Sequence, residues 1–520
     1  MRLKSGLRSR SGTQTGASQV KDNDKRIIRK RKARGARRLA NKWRLGDGQR
    51  PVIGGCLPRY EMSDRVTATR AGGLAAIHAL VCSLGLPEKI DERLHLLKRH
   101  QPYFESDHIL ALAYSVVAGG TRLQDLDSLR EDEALMNLLG ARRLPDPTTA
   151  GDFLRRFDEK AIHDLQALVN EIRVMIWRSQ PKAFRKRAVI DIDGTVAGTT
   201  GEKKFGMDFN FYKKVWAYHP LMVSLANTAE ALFLINRSGN VPSHQGAAPV
   251  VDEAIALVLL VFEEVLLRGD TDFSLTVNFD RWTEQGVKFV FGYDAHPSIV
   301  KRAEEVSESQ WVRFQRPARY EAESSREKRP NVKEQLVEEK GWKNLVLTAE
   351  HITEIPYQPV KCRRPYRLIM LRKKIDEKRG QKVLFEHHRY FFYITNDRDM
   401  TAEQVVREAN SRCDQENLIA QHKSGIEAMR MPVHDLLSNW AYMVITSLAW
   451  TFKAWFGLTL PRSQDRRLIV RMEFRRFLNT VILIPAQVLR TGRGLVVRLL
   501  AITPLVRLLF RSRQASAALM

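Results

Sequence analysis

Three acidic residues, Asp193, Asp270 and Glu416, lie far apart in the chain, each where a carboxylate could be presented to a reacting phosphate. Asp193 ends the alternating run I-D-I-D before G-T, Asp270 follows L-L-R-G, and Glu416 lies in N-S-R-C-D-Q-E-N-L-I-A-Q-H-K. Arg412, Glu416 and Lys423 are spaced by four and then seven residues. On a helix of about 3.6 residues per turn that spacing gathers them on one face. An acid between two bases suits a metal ion beside a phosphate. Phosphodiester cleavage and strand transfer need an activated oxygen nucleophile, a stabilised leaving group and charge neutralisation at phosphorus. Two Mg2+ ions about 3.5–4 Å apart supply all three, and Mg2+ takes hard carboxylate oxygens plus water. Three carboxylates from separate elements are all the protein need contribute, and Mn2+ could substitute. Each acid also has a plainer use. Asp193 could serve a turn before Gly194, Asp270 could cap a helix, and Glu416 could pair with Arg412 on a helix surface. Asp191 competes with Asp193 and Asp272 with Asp270, although the D-G-T context favours Asp193.

The elements that must position these acids follow from periodicity. From about 63 to 180 the pattern is helical, with Leu74, Ile77, Leu80 and Val81 recurring at three- and four-residue steps. Near 186 the period changes. Residues 188–196 read as a strand with Ile190 and Ile192 on one side and Asp191 and Asp193 on the other. Strands follow at 216–226 and 231–237, an apolar helix at 249–262, a strand at 265–268, a helix at 273–285 and a strand at 287–291. This βββ-α-β-α-β order is the core order of an RNase H-like α/β domain. Residues 344–351, 365–372 and 383–395 read as further strands, forming a β-rich insertion, and 315–340 as a charged loop. Helix returns at 401–424 and 433–457, and the last 60 residues read as Arg-studded amphipathic helices. The expected organisation is therefore a basic disordered tail at 1–58 and a helical DNA-binding domain at 59–184. The first part of the catalytic domain follows at 185–306, the insertion at 307–397, the helix with the third acid at 398–430 and a basic helical C-terminal region at 431–520.

Charge is concentrated at the ends. Of the net +26, residues 1–50 carry +14 and residues 461–520 carry +10, leaving +2 for everything between. Concentrated positive charge attracts polyanions, with a binding constant that falls steeply with salt. Four scattered cysteines with no C-x-x-C pair argue against a disulfide scaffold or zinc ribbon and fit a reducing cytosol. No apolar signal region follows the basic N-terminus. The apolar stretches 254–267 and 494–510 are interrupted by charge and proline, short of the roughly 18 residues a membrane span needs. A cytoplasmic, nucleoid-associated protein that does not enter membranes is expected.

From about 63 to 513 the chain resembles the DDE transposases of bacterial insertion sequences, in the branch whose third motif reads Tyr-x2-Arg-x3-Glu-x6-Lys. Arg412, Glu416 and Lys423 match that motif, D-G-T at 193–195 matches the first acid, and R-G-D-T-D-F at 268–273 resembles the second. Y-H-P-L at 218–221 and R-S-G-N at 237–240 also look like that branch. The motif's tyrosine falls on Ala409, a departure that bears on activity rather than fold. The resemblance implies cut-and-paste DNA transposition: metal-dependent hydrolysis at the element ends, then attack of a freed 3′-OH on target DNA. It implies Asp193, Asp270 and Glu416 as catalytic metal ligands, with Arg412 and Lys423 holding DNA phosphates. The implied partners are double-stranded DNA, as terminal inverted repeats and target, and a second copy of the chain. Related enzymes stack a flipped base on an aromatic residue of the insertion, for which Trp311 and Trp342 are candidates, although core packing is the plainer use of each. The alternatives are a catalytically inactive or domesticated DNA-binding relative and a basic nucleic-acid scaffold.

Overall fold

A computed structural model describes residues 22–40, 60–64, 66–199, 201, 203–316, 339–379, 382–492 and 494–512. Two compact units emerge. One is built from Met1–Lys89, Ser106–Pro147 and Trp455–Met520, the other from Ile90–Glu105 and Thr148–Ala454.

The second unit holds all five candidate residues. Its elements are α1 (Glu159–Arg178), β1 (Arg187–Gly194), β2 (Leu221–Leu225), β3 (Glu230–Ile235), α2 (Ala247–Leu259), β4 (Glu264–Gly269), α3 (Phe279–Glu284) and β5 (Lys288–Tyr293). They continue with β6 (Val312–Arg313), β7 (Lys343–Tyr357), β8 (Tyr366–Arg379), β9 (Lys382–Thr395), α4 (Ala402–Asn410) and α5 (Cys413–Ala420). Nine strands form one sheet in the order β6-β7-β8-β9-β5-β4-β1-β2-β3. β1, β4 and β5 run parallel, while β2 runs antiparallel to β1 and β3 antiparallel to β2.

Alternation along β1 explains its two faces. Ala188, Ile190 and Ile192 are buried, and α2 packs across β1 to β4 through Val251, Ala254, Ile255 and Val258. The other face begins with Val189, which packs against a cluster of Leu266, Val290, Ile352, Ile369 and Leu371 closed by Val405 and Val406 of α4. Burying each such valine contributes about 1.5–3 kcal/mol. α5 is tied to β2 by the buried Gln415, whose Nε2 donates to Met222 O at 3.3 Å and whose Oε1 accepts from Ser224 Oγ.

Several expectations need correction. The strand expected at 216–226 is two, because Pro220 interrupts it: Val215–Tyr218 joins a small three-stranded sheet with Ala197–Gly198 and Asp208–Asn210, while β2 joins the large one. The helix expected at 273–285 is two short 3-10 turns followed by α3. The helix expected over 401–424 breaks after Asn410, where Asn410 Nδ2 donates to Val406 O at 2.6 Å and Ser411 Oγ to Arg407 O at 2.9 Å. Such side-chain bonds to backbone carbonyls compete with helix continuation. The expected insertion is not set apart from the sheet, since β9 pairs with β5 from Phe392↔Tyr293 to Thr395↔Val290.

The first unit also departs from expectation. Within the segment expected to be disordered, Asp22–Ala40 is a helix with Asp22 and Asp24 in its first turn, where acids oppose the dipole. The rest of 1–58 lies outside the described residues, as does most of the 315–340 loop. The C-terminal stretch expected to be helical includes a hairpin, Ala486–Thr491 with Gly494–Leu499, whose valines favour a pleated surface. Ala68–Thr69 adds an edge strand to it in the register Ala68↔Gln487. Residues 59–184 are accordingly divided between the two units rather than forming one domain.

One glycine sets the small sheet against its surroundings. A Cβ on Gly239 would lie 2.2 Å from Ala217 O and 2.5 Å from Asp208 O, both backbone atoms. Gly239→Ala is expected to lower unfolding free energy by about 1–3 kcal/mol, read from urea titrations. An unchanged midpoint would refute this close packing.

Candidate active site

Two neighbouring parallel strands build the site in steps of two residues. Val189 lies level with Leu266 and Asp191 with Arg268, where the pairing ends; Asp193 and Asp270 follow two residues later on each chain segment. Side chains two apart share a face, so each segment passes from core to a buried ion pair and then to a partly buried acid.

The middle step is a buried ion pair. Arg268 donates from Nε and Nη2 to both carboxylate oxygens of Asp191, each at 2.7 Å, and from Nη1 to Glu408 Oε1 at 2.9 Å. Asp191 is 1% exposed and Arg268 4%. Both oxygens of Asp191 are thus occupied, leaving Asp193 as the acid that faces outward. Asp270 Oδ1 accepts from the Asp272 N–H at 3.1 Å, capping the following turn, while Oδ2 lies 3.5 Å from Arg412 Nη2. Asp272 is exposed.

Arg412 joins the two acids. It sits just before α5, with Nη1 3.6 Å from Asp193 Oδ2 and Nη2 3.5 Å from Asp270 Oδ2. Lys423 lies in the π-helical turn Gln421–Gly425 and donates from Nζ to Val196 O at 2.8 Å. Glu416 is exposed in the first turn of α5, where an acid complements the helix dipole. The structure therefore brings Asp193, Asp270 and Arg412 into one contact and leaves Glu416 at its rim. Among the described residues, no three His, Cys, Asp or Glu side chains stand close enough to hold a metal ion between them. The Arg412 guanidinium faces the carboxylates of Asp193 and Asp270, while Glu416 stays with solvent. Ala409 points elsewhere, packing against the α4 core cluster.

Burial raises the Asp193 carboxyl to about 7, with the charges of Asp270 and Glu416 adding and Arg412 opposing. Burial also raises Asp270, again opposed by Arg412 and reinforced by Asp272. Burial, then Lys213, lowers Lys423, while Asp193 pulls it back up. Clustered titratable groups perturbed by burial and by one another occur at functional sites and in structural ion-pair networks alike.

Sequence reasoning missed Arg268, Glu408 and Gln415. Only Arg268 carried a signal, lying two residues before Asp270 on the same strand face. Of the insertion aromatics, Trp311 is buried under the Arg372 guanidinium at 4.4 Å, and Trp342 is 53% exposed beside Lys340 at 4.9 Å.

A pH test follows from Asp193. Between the ordinary aspartate value of 3.8 and about 7, the folded chain holds a proton that the unfolded chain has released, so this carboxyl's contribution to stability falls as pH rises through that window. Asp193→Asn removes the effect. In EDTA its stability gain over the parent is expected to be larger at pH 8 than at pH 5, by about 1–3 kcal/mol. Equal gains at both pH values, read from urea titrations, would contradict a desolvated Asp193.

The sequence matches the family described as transposase DDE domain group 1 over residues 65–517. No curated protein matches it. A cryo-EM structure of the piggyBac transposase synaptic complex with hairpin DNA is similar at 12% identity, covering 80% of this chain and 86% of that one, with a TM-score of 0.33. That likeness is too weak to carry a residue correspondence. The family match spans most of the chain, and the protein therefore belongs to the transposase DDE domain group 1 family: it is a DDE transposase.

Proposed function

We propose that this transposase cuts DNA at the ends of a bacterial insertion sequence and joins them to target DNA, using Asp193, Asp270 and Glu416 as its metal-holding acids. The observation that carries this reading is the single guanidinium of Arg412 within 3.5–3.6 Å of both Asp193 and Asp270. Two hard carboxylates that share one cation form a donor set suited to Mg2+, which binds through one or two carboxylates and keeps several waters. The Arg412 guanidinium stands in for that positive charge. Divalent ions bound there would supply an activated oxygen nucleophile and charge neutralisation at phosphorus. Glu416, exposed in the first turn of α5, would turn toward Asp193 to complete the set.

The chain's own groups do the rest. Asp270 keeps one oxygen in its turn cap and offers the other to the site, so its orientation is set before any ligand arrives. Arg412 and Lys423 hold phosphate oxygens near the acids, Lys423 being anchored through Val196 O. The partial burial of Asp193 thins the water around it, which strengthens each charge interaction there. An RNase H-like catalytic domain is supported by the strand order β3-β2-β1-β4-β5 with β1, β4 and β5 parallel. Ala409 in place of the signature's tyrosine is compatible with this arrangement, since α4 and α5 are separate helices. The helical elements of residues 59–184 and the basic helix Asp22–Ala40 are assigned to DNA contacts, two copies acting on paired inverted-repeat ends. Among the described residues no helix is long and apolar enough to cross a membrane.

Cleavage of a plasmid carrying the DNA that flanks the gene tests the reading. Asp193→Asn, Asp270→Asn and Glu416→Gln are each expected to lose cutting by at least about a hundredfold while retaining DNA binding in gel-shift assays. A parent chain that binds but never cuts in Mg2+ or Mn2+ would instead be a DNA-binding relative without cleavage.

A second measurement needs no DNA. Mg2+ should raise the thermal midpoint of the parent, because a ligand that binds only the folded chain stabilises it. The Asp193→Asn/Asp270→Asn double variant should show no such rise, and an equal rise in both would place the ions elsewhere.

A further inference from the structure

The small sheet that follows β1 presents aromatic side chains to solvent on a basic hairpin. Phe211 is 71% exposed, Tyr212 86% and Trp216 39%. Lys213 and Lys214 follow directly and are exposed, and Lys213 Nζ lies 4.9 Å from the Tyr212 ring centroid. Large exposed apolar side chains gathered in one place mark interaction surfaces rather than folding devices.

The hairpin is held firmly enough to be a preformed surface. Asn210 is buried, its Nδ2 donating to Gly239 O at 2.7 Å and its Oδ1 accepting from the Lys213 N–H at 2.8 Å. Lys214 occupies the left-handed region (φ 54°) and its N–H reaches Asn210 O at 2.7 Å. A non-glycine residue kept there carries strain that clusters at functional sites. Phe209 backs the tip, its ring 5.5 Å from Phe211 and 5.8 Å from Trp216.

Position relates this surface to the acids. Its first strand, Ala197–Gly198, starts four residues after Asp193 and immediately after Val196, whose carbonyl accepts from Lys423. A partner reaching from Lys423 to the hairpin tip would meet positive charge and then aromatic faces. Nucleic acid with unpaired bases has both complementary features, since phosphates meet lysines and bases stack on rings. A second copy of this chain docked through the same patch would oppose its lysines to their own equivalents.

Resting on the acid site proposed above, we propose that Phe211 and Tyr212, flanked by Lys213 and Lys214, form a stacking platform for unpaired bases of the DNA strand whose phosphate lies at the acids. The platform belongs to the hairpin between β1 and β2, not to the β-rich strands where Trp311 and Trp342 lie.

The test uses the full chain with two probes: a single-stranded 12-nucleotide oligodeoxyadenylate containing 2-aminopurine, and a blunt duplex of the same length. The parent should perturb 2-aminopurine fluorescence on binding. Phe211→Ala/Tyr212→Ala should weaken single-strand binding by about tenfold or more and change duplex binding less than twofold. Phe211→Trp/Tyr212→Trp should restore the single-strand affinity. Equal losses on both probes, or none, overturn the proposal. A parent dimer that the alanine pair converts to monomer in sedimentation would also overturn it, assigning the patch to a second copy. Asp193→Asn carried through the same binding assay keeps the two readings apart. A platform effect that persists without cleavage supports the hairpin alone, and cleavage without a platform effect leaves the acids standing and removes the hairpin.

Discussion

The parallel register between β1 and β4 is the constraint on which the site depends. Asp191 and Arg268 lie level across it and close a bidentate ion pair that is almost entirely buried. Two unscreened charges in such a place are tolerable only when each satisfies the other. A slip of one residue in either strand would turn Asp193 or Asp270 to the opposite face and strand a charge in the core. The pair therefore fixes the two strand ends from which Asp193 and Asp270 follow two positions further on. Arg268 also reaches Glu408, so the same side chain fixes α4 over the sheet.

Beyond α4 the chain changes its mode of attachment. The cluster of Val405 and Val406 seats α4 by apolar packing, whereas α5 is tied to β2 through the buried amide of Gln415. The break between them lets Arg412 turn toward the acids without continuing the α4 face, on which Ala409 packs inward. Deeper in the same unit, Glu230 receives Arg173 Nε at 3.1 Å and Trp177 Nε1 at 3.3 Å, tying α1 to β3. The site thus stands on strands whose outer neighbours are themselves fixed by buried polar contacts.

Much of this was legible in the sequence, for local reasons. Alternation placed Asp193 on a strand with its face opposite to Ile190 and Ile192, and the four- and seven-residue spacing from Arg412 to Lys423 placed Glu416 on a helix. What was not legible depends on partners distant in the chain. Asp191 and Asp193 look equivalent by alternation, and the D-G-T context that favours Asp193 does not reveal the pairing of Asp191 with Arg268, 77 residues away. The gathering of Asp270 onto Arg412 rather than into a three-acid cluster is an electrostatic outcome that spacing does not encode. The C-terminal hairpin was hidden because its arginines recur at intervals a helix would also use. The break after Asn410 arises from side-chain bonds to carbonyls, which leave no trace in apolar periodicity.

The long ribbon has a consequence for how this protein could diverge. β8 and β9 are each 14 residues long, yet β5 grips only the last four of β9. Growth or shortening at the distal end of the ribbon in matched pairs of residues would preserve which side chains face the core. An unmatched single-residue change there would invert the faces beyond it and leave the gripped portion untouched. Length variation among descendants should therefore accumulate at that far tip, in even steps, while the sheet beneath the acids stays constant.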